Sequence, residues 1–224
     1  NFVESLETLA LNLREVSPTV FAGVPRIWEK FVSMVEIRMS DSTPLKRALY
    51  RMAQGAGLGR LRAPKGSLAG FLWSLAYWPL YWGVLWHLKR QIGLERVRYA
   101  VCGAAPAGLE LFEWFNAMGI PLREGYGQTE STGVIAMQRL EGFRPGYVGE
   151  PLPGVEARIA EDGEILARGE GIFSGYFKNP ELTKETIQDG WLHTGDIGVM
   201  DGGFLKILDR KKDIIITRGG KNVT

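Results

Sequence analysis

The 224 residues are 45% hydrophobic and carry 27 basic against 25 acidic side chains, enough apolar content for a sizeable core and too little charge imbalance for a nucleic-acid footprint. The single cysteine, Cys102, excludes an internal disulfide, and the absence of Cys/His ligand spacing argues against a structural zinc site, which together fit a reducing, cytoplasmic setting.

The first stretch, Asn1 to Arg14, places Phe2, Leu6, Leu9 and Leu13 at helical spacing and has no basic leader or cleavage site, so an internal helix is expected there. Ser17-Pro18 stops it before the apolar run Val20-Phe21-Ala22, read as a strand. Pro25 suits the first turn of a second helix, with Ile27, Phe31, Val35 and Met39 on one face and Ser40 to Thr43 closing it. Leu68 to Leu88 is uncharged, contains Trp73, Trp78, Trp82 and Trp86, is interrupted by Pro79, and is flanked by Arg62, Lys65, Lys89 and Arg90. Three readings stay open for it: a peripheral membrane-surface element, a buried helix or acyl-tunnel wall, and, least consistent with Pro79, a membrane span.

Alternation of Val97, Tyr99 and Val101 predicts a strand over Arg96–Val101, followed by the loop Gly103-Ala104-Ala105-Pro106 and a helix carrying Leu111, Phe115 and Met118 that Gly119 ends. Ile120 to Arg123 reads as the next strand, leading into a glycine-flanked loop, which makes a βαβ unit of a parallel sheet. Beyond Gly142 the pattern becomes mainly β. Val155 to Ile159 alternate, Asp162-Gly163 and Asp201-Gly202-Gly203 read as hairpin turns, and Asn179-Pro180 opens one short helix to Ile187.

The chemistry-bearing residues fall in three segments. Gly125-Tyr126-Gly127-Gln128-Thr129-Glu130 joins backbone freedom to an aromatic ring, a hydroxyl and a carboxylate, a set suited to a nucleotide and its metal, although by itself it reads more readily as a glycine-rich turn after a strand. Trp191-Leu192-His193-Thr194-Gly195-Asp196 offers a two-oxygen acceptor for a vicinal diol, with His193 read as a packed or surface residue. Asp209-Arg210-Lys211-Lys212-Asp213 is a charged turn before an apolar strand, Arg210 providing a rigid fork of donors.

Taken in order, these segments resemble the signatures of the adenylate-forming acyl-CoA synthetase superfamily. Val24 to Lys30 resembles the long-chain and very-long-chain fatty acid branch, and Gly163 to Gly169 a signature of its β-rich subdomain. The resemblance implies ATP, magnesium and CoA as cosubstrates, with a fatty acid activated to acyl-AMP and passed to CoA. It implies that Gly103, Ala104 and Ala105 flank the adenine with Gly125, Tyr126, Gly127 and Gln128, Tyr126 stacking on the base. It places Thr129 on phosphate, Glu130 on magnesium, Asp196 on the ribose and Arg210 on ribose or phosphate. Asp209 is the implied hinge, and Gly219, Gly220 and Lys221 lie near CoA. The implied fold is α/β: a partial parallel-sheet subdomain over 1–133 with the aromatic insertion 68–88, a β-rich, distorted-barrel subdomain over 134–208, and a hinge with the start of a small domain over 209–224. The family's phosphate-binding loop and terminal catalytic lysine have no match here, so this stretch by itself is expected to be inactive. Two further functions are open: transfer of the acyl group to a carrier protein instead of CoA, and a catalytically dead membrane-associated binding module.

Overall fold

The computed structural model describes residues 5, 8–211, 215–216 and 222–223. The chain divides into two compact units, Asn1–Arg123 and Glu124–Thr224.

In the first unit, helix α1 (Leu9–Val16) buries Leu9 and Leu13 and stops at Ser17, whose left-handed φ of 45° turns the chain toward Pro18. Phe2 and Leu6, the first half of the expected stripe, lie outside the described residues. Strand β1 (Val20–Gly23) leads into α2 (Pro25–Ser40), which has Pro25 in its first turn. The buried stripe of α2 is Trp28, Phe31 and Val35, with Ile27 and Met39 at its margin, so the expected face is correct but its centre is Trp28. The Trp28 indole donates to the carbonyls of Gly23 and Val101 and meets Phe21 and Phe115 edge-on, tying the helix to two strands.

Helix α3 (Pro44–Arg62) is capped by Thr43, whose side chain accepts from the Lys46 N–H. Helix α4 (Leu68–Leu80) contains Pro79, and the expected interruption takes the form of a π-helical turn, Tyr81–Leu85, before α5 (Trp86–Gln91). A residue larger than glycine at 59 would drive its Cβ into the Trp73 indole, and at 57 into the Ala117 carbonyl; these glycines let α3 pack closely. Strand β2 (Tyr99–Cys102) runs parallel to β1, with Val20 opposite Tyr99, and begins three residues later than expected. Helix α6 (Leu109–Ala117) then returns the chain, Gly119 (φ 75°) turning it into β3 (Leu122–Tyr126), which starts in this unit and ends in the next. Gly125 and Tyr126, expected in a loop, are the last residues of that strand.

In the second unit, β4 (Ala136–Met137) pairs antiparallel with the end of β3 and with β5 (Glu150–Pro151). A second, antiparallel sheet is built from β6 (Val155–Ile159), β7 (Glu164–Gly169), β8 (Ile187–Gln188), β9 (Trp191–Asp201) and β10 (Phe204–Arg210), with β8 beside β9 and the others in the order β10–β9–β7–β6. Both expected hairpin turns form, with Gly163, Gly202 and Gly203 at positive φ. Helix α7 (Pro180–Thr186) is capped by the Asn179 carboxamide, which accepts from the Leu182 N–H. Tyr126, Ile135, Ala136, Val148, Ile165, Ala167, Leu192 and Leu205 form the core of this unit. The short strands β11 (Ile215–Ile216) and β12 (Asn222–Val223) pair with each other. The fold is α/β, with a parallel pair in the first unit and a mainly antiparallel, β-rich second unit.

Candidate nucleotide site

In the middle of strand β9 stands Gly195, whose φ of 73° no residue with a Cβ adopts easily. The Thr194 hydroxyl donates to the Ile165 carbonyl and accepts from the Asp196 N–H, so the backbone on either side of Gly195 is tied to β7. Strand β10 places Arg210 opposite Asp196 in the ladder, bringing the guanidinium Nε to 3.7 Å from Asp196 Oδ1. From the end of β3, the Tyr126 hydroxyl donates to Asp196 Oδ2 at 2.7 Å. Burial, and after it the Asp196 carboxylate, push the Tyr126 hydroxyl pKa up, so it stays protonated and serves as donor. Tyr126 from β3 and Arg210 from β10 thus meet at the one carboxylate of Asp196. The Tyr126 ring is only 7% exposed within the core, and the contact of its hydroxyl with Asp196 carries no sequence signal.

The rest of the glycine segment is a pinned turn. Gly127 packs where a Cβ would collide with the Gly133 carbonyl, and Gln128 and Ser131 cap each other around the single 3₁₀ turn Thr129–Ser131. Thr129 is exposed there. Glu130 is held apart from the Asp196 cluster: its Oε1 accepts from the Tyr176 hydroxyl at 2.7 Å, and its carbonyl accepts from the Phe173 N–H. No group of three or more potential ligands that could hold a metal occurs among the described residues. Glu130 still fits a magnesium ion of the kind held by one carboxylate and substrate phosphates. Gly103, Ala104 and Ala105 belong to the other unit, on the loop after β2, where Ala104 has a φ of 68°. Asp209 sits inside β10 opposite Ile197, its Oδ1 accepting from the Arg210 N–H. Gly219, Gly220 and Lys221 lie outside the described residues.

One buried group beside the site carries no signal in the sequence. Glu164, 4% exposed, accepts from the Gly195 N–H, from Lys211 and from His193. Burial alone would raise its pKa, but His193, Lys211 and the Gly195 amide together hold it below the usual carboxylate range. His193, only partly buried, is engaged by Glu164, within the expected reading of it as a packed or surface residue.

A family model described as AMP-binding enzyme matches residues 2–177. The chain is 36% identical to the long-chain-fatty-acid–CoA ligase FadD15 of Mycobacterium bovis, over 99% of this chain and 37% of that protein. It is 39% identical to the long-chain-fatty-acid–CoA ligase ACSBG2 of Gallus gallus, over 96% of this chain and 29% of that protein. Among solved structures, the O-succinylbenzoate coenzyme A synthetase of Bacillus subtilis in complex with ATP and magnesium ion superposes with a TM-score of 0.63 at 23% identity, over 98% of this chain and 37% of that one. The chain spans about two fifths or less of the length of these relatives.

Proposed function

Because the chain belongs to the AMP-binding enzyme family, matched over residues 2–177, we propose that the protein it represents is an AMP-forming long-chain fatty acid–CoA ligase. The carboxylate of a fatty acid attacks the α-phosphate of ATP, releasing pyrophosphate, and the acyl group of the resulting acyl-AMP passes to the CoA thiol. The observation that carries this reading is the meeting of Tyr126, Asp196 and Arg210. A carboxylate with one oxygen already taking a tyrosine hydroxyl, and a guanidinium alongside, keeps acceptor capacity for two ribose hydroxyls and a donor for the adjoining phosphate. Tyr126 would lie at the base, Thr129 at phosphate and Glu130 on magnesium, with Asp209 as the implied hinge; Gly103, Ala104 and Ala105 would border the adenine. The two relatives named as long-chain ligases support the choice of a long-chain acid and CoA over a carrier-protein acceptor.

The test is equilibrium binding of AMP to the purified chain. Asp196→Ala is expected to weaken it more than tenfold, roughly the loss of two charge-assisted hydrogen bonds. Equal affinity in both proteins would sink the reading. With fatty acid, ATP and magnesium, the chain by itself is expected to make acyl-AMP no faster than its Glu130→Ala variant.

A second element is contact of residues 68–88 with a lipid surface. No helix among the described residues is long and apolar enough to cross a membrane. Leu68, Phe71, Leu72, Leu75, Trp78 and Trp82, at helical spacing on α4 and the π turn, nevertheless all face outward. Arg60 stacks over Tyr77 and Trp78, and Arg90 over Trp86, a pairing of indole and cation suited to a headgroup layer. Lys89, expected among those cations, is buried instead. Flotation with anionic vesicles, lost on Trp78→Ser and Trp82→Ser, is the expected result; no flotation of either protein would end this part.

A further inference from the structure

We infer that Glu164 and Lys211 form a clamp on the backbone of Gly195, holding its N–H and its carbonyl, and thereby set the grip of Asp196 on the ribose, an inference that rests on the ribose reading of Asp196. The contacts close a ring. Glu164 Oε1 accepts from the Gly195 N–H at 2.8 Å. The Gly195 carbonyl, on the other side of the same residue, accepts from the Lys211 N–H at 2.8 Å. The Lys211 ammonium then returns to Glu164 Oε2 at 3.0 Å and reaches outward to Asp162 Oδ2 at 2.6 Å. His193 Nδ1, 3.1 Å from Glu164 Oε2, fills the remaining side.

A left-handed glycine in mid-strand needs such a hold. Nothing lies within 4 Å of where a Gly195 Cβ would stand, so packing does not fix this residue, and the two hydrogen bonds to its own N–H and carbonyl do. The Glu164 side chain is 6% exposed, where an unpaired carboxylate would be costly, whereas Lys211 is 47% exposed. The outer pair with Asp162 is accordingly weak in water. The contribution of Lys211 is the charge it lends to Glu164. Because Asp196 follows Gly195 directly, a shift of the Gly195 backbone moves the ribose acceptor, and a displacement near 1 Å is enough to lose a positioned hydrogen bond. Neither Glu164 nor Lys211 touches the ribose in this scheme; both are positioning residues.

The experiment compares AMP with 2′-deoxyadenosine 5′-monophosphate on the purified chain and on Glu164→Gln, Lys211→Met and Lys211→Arg, together with hydrogen exchange at the Gly195 amide. Glu164→Gln and Lys211→Met are expected to weaken AMP binding about tenfold while the preference over the deoxynucleotide collapses. They are also expected to speed exchange at Gly195 about tenfold over other β9 amides. Lys211→Arg, which keeps the charge, is expected to retain the preference. Unchanged preference and unchanged Gly195 protection in Glu164→Gln would overturn the clamp, as would a lost preference with no rescue by arginine. If the parent chain binds neither nucleotide, the ribose reading has failed and Gly195 exchange alone decides: faster in Glu164→Gln supports the clamp, unchanged overturns it.

Discussion

Helix α4 and the corner between β7 and β9 invert the usual rule of burial in opposite ways. Along α4, Leu68, Phe71, Leu72 and Leu75 are 55–74% exposed, a stripe of apolar side chains turned outward. At the corner, Glu164 is turned inward and given three donors. The ordinary residues around them, such as Trp28, Phe31 and Phe115 in the first unit or Ile165 and Leu192 in the second, are fully buried and hold the fold. Exposed apolar stripes and buried charges are what a fold does not need for its own stability, which is why they point to partners and ligands.

The strongest attempt to break this contrast removes the inward charge. Glu164→Leu leaves the Gly195 N–H and His193 without their acceptor and is expected to cost about 2–3 kcal/mol in urea unfolding. Adding Lys211→Met should then cost little more, since the half-exposed ammonium has already lost its buried partner. A loss below about 1 kcal/mol for the single variant would mean that the charge is incidental.

The first unit also has an inward charge, and it sharpens the contrast. Lys89, 3% exposed, donates to the Gly119 carbonyl and the Tyr81 hydroxyl, neither of them ionic. Burial therefore pulls its pKa down to about 8, against a smaller opposing pull from Glu95. The folded chain releases this proton at lower pH than the unfolded chain, so from pH 8 upward the unfolded state binds more protons and stability rises with pH. Above about pH 10 the buried Tyr77 and Tyr81, whose pKa values burial raises, act in the opposite sense. A gain of roughly 2 kcal/mol between pH 8 and 10 is expected, and Lys89→Met should flatten it. A flat profile in the parent chain would show that Lys89 keeps its proton through a contact with an acid.

Much of this was legible in the residues. Turn chemistry marked both hairpins and the cap of α7, period and proline marked α2, and three motifs in order supplied Tyr126, Asp196 and Arg210, which the structure brings together. Helix α3 was not legible, because Gly55, Gly57 and Gly59 argue against a helix on propensity. Two of the three are there for close packing against Ala117 and Trp73, which only the tertiary structure reveals. The end of β3 is hidden for a related reason: glycines around Tyr126 suggest a loop, yet the tyrosine ring needs the strand to reach the core. Glu164 stood in plain view in β7, but nothing in a strand pattern connects it to Lys211 at the far end of the unit.

A smaller effect is expected where the end of β3 meets the site. Tyr126→Phe keeps the ring in the core and removes only the donor to Asp196. Stability should fall by about 1 kcal/mol and AMP affinity severalfold, the cost of a single hydrogen bond at a group still reached by water. A change in affinity as large as that of Asp196→Ala would mean that the hydroxyl itself contacts the nucleotide.

The smallest effect belongs to the outward stripe. Leu72→Ser and Leu75→Ser replace side chains that are 55% and 65% exposed, so each should change urea stability by no more than about 0.5 kcal/mol. Vesicle binding should nevertheless fall, because a leucine entering lipid gains about 1.5–3 kcal/mol that serine does not. The two measurements must separate for the contrast to hold: a stripe that serves a partner is silent in the free chain. If either substitution cost more than about 1.5 kcal/mol in dilute solution, the stripe would be covered there by protein, and concentration dependence of that cost would identify the cover as a second copy of the chain.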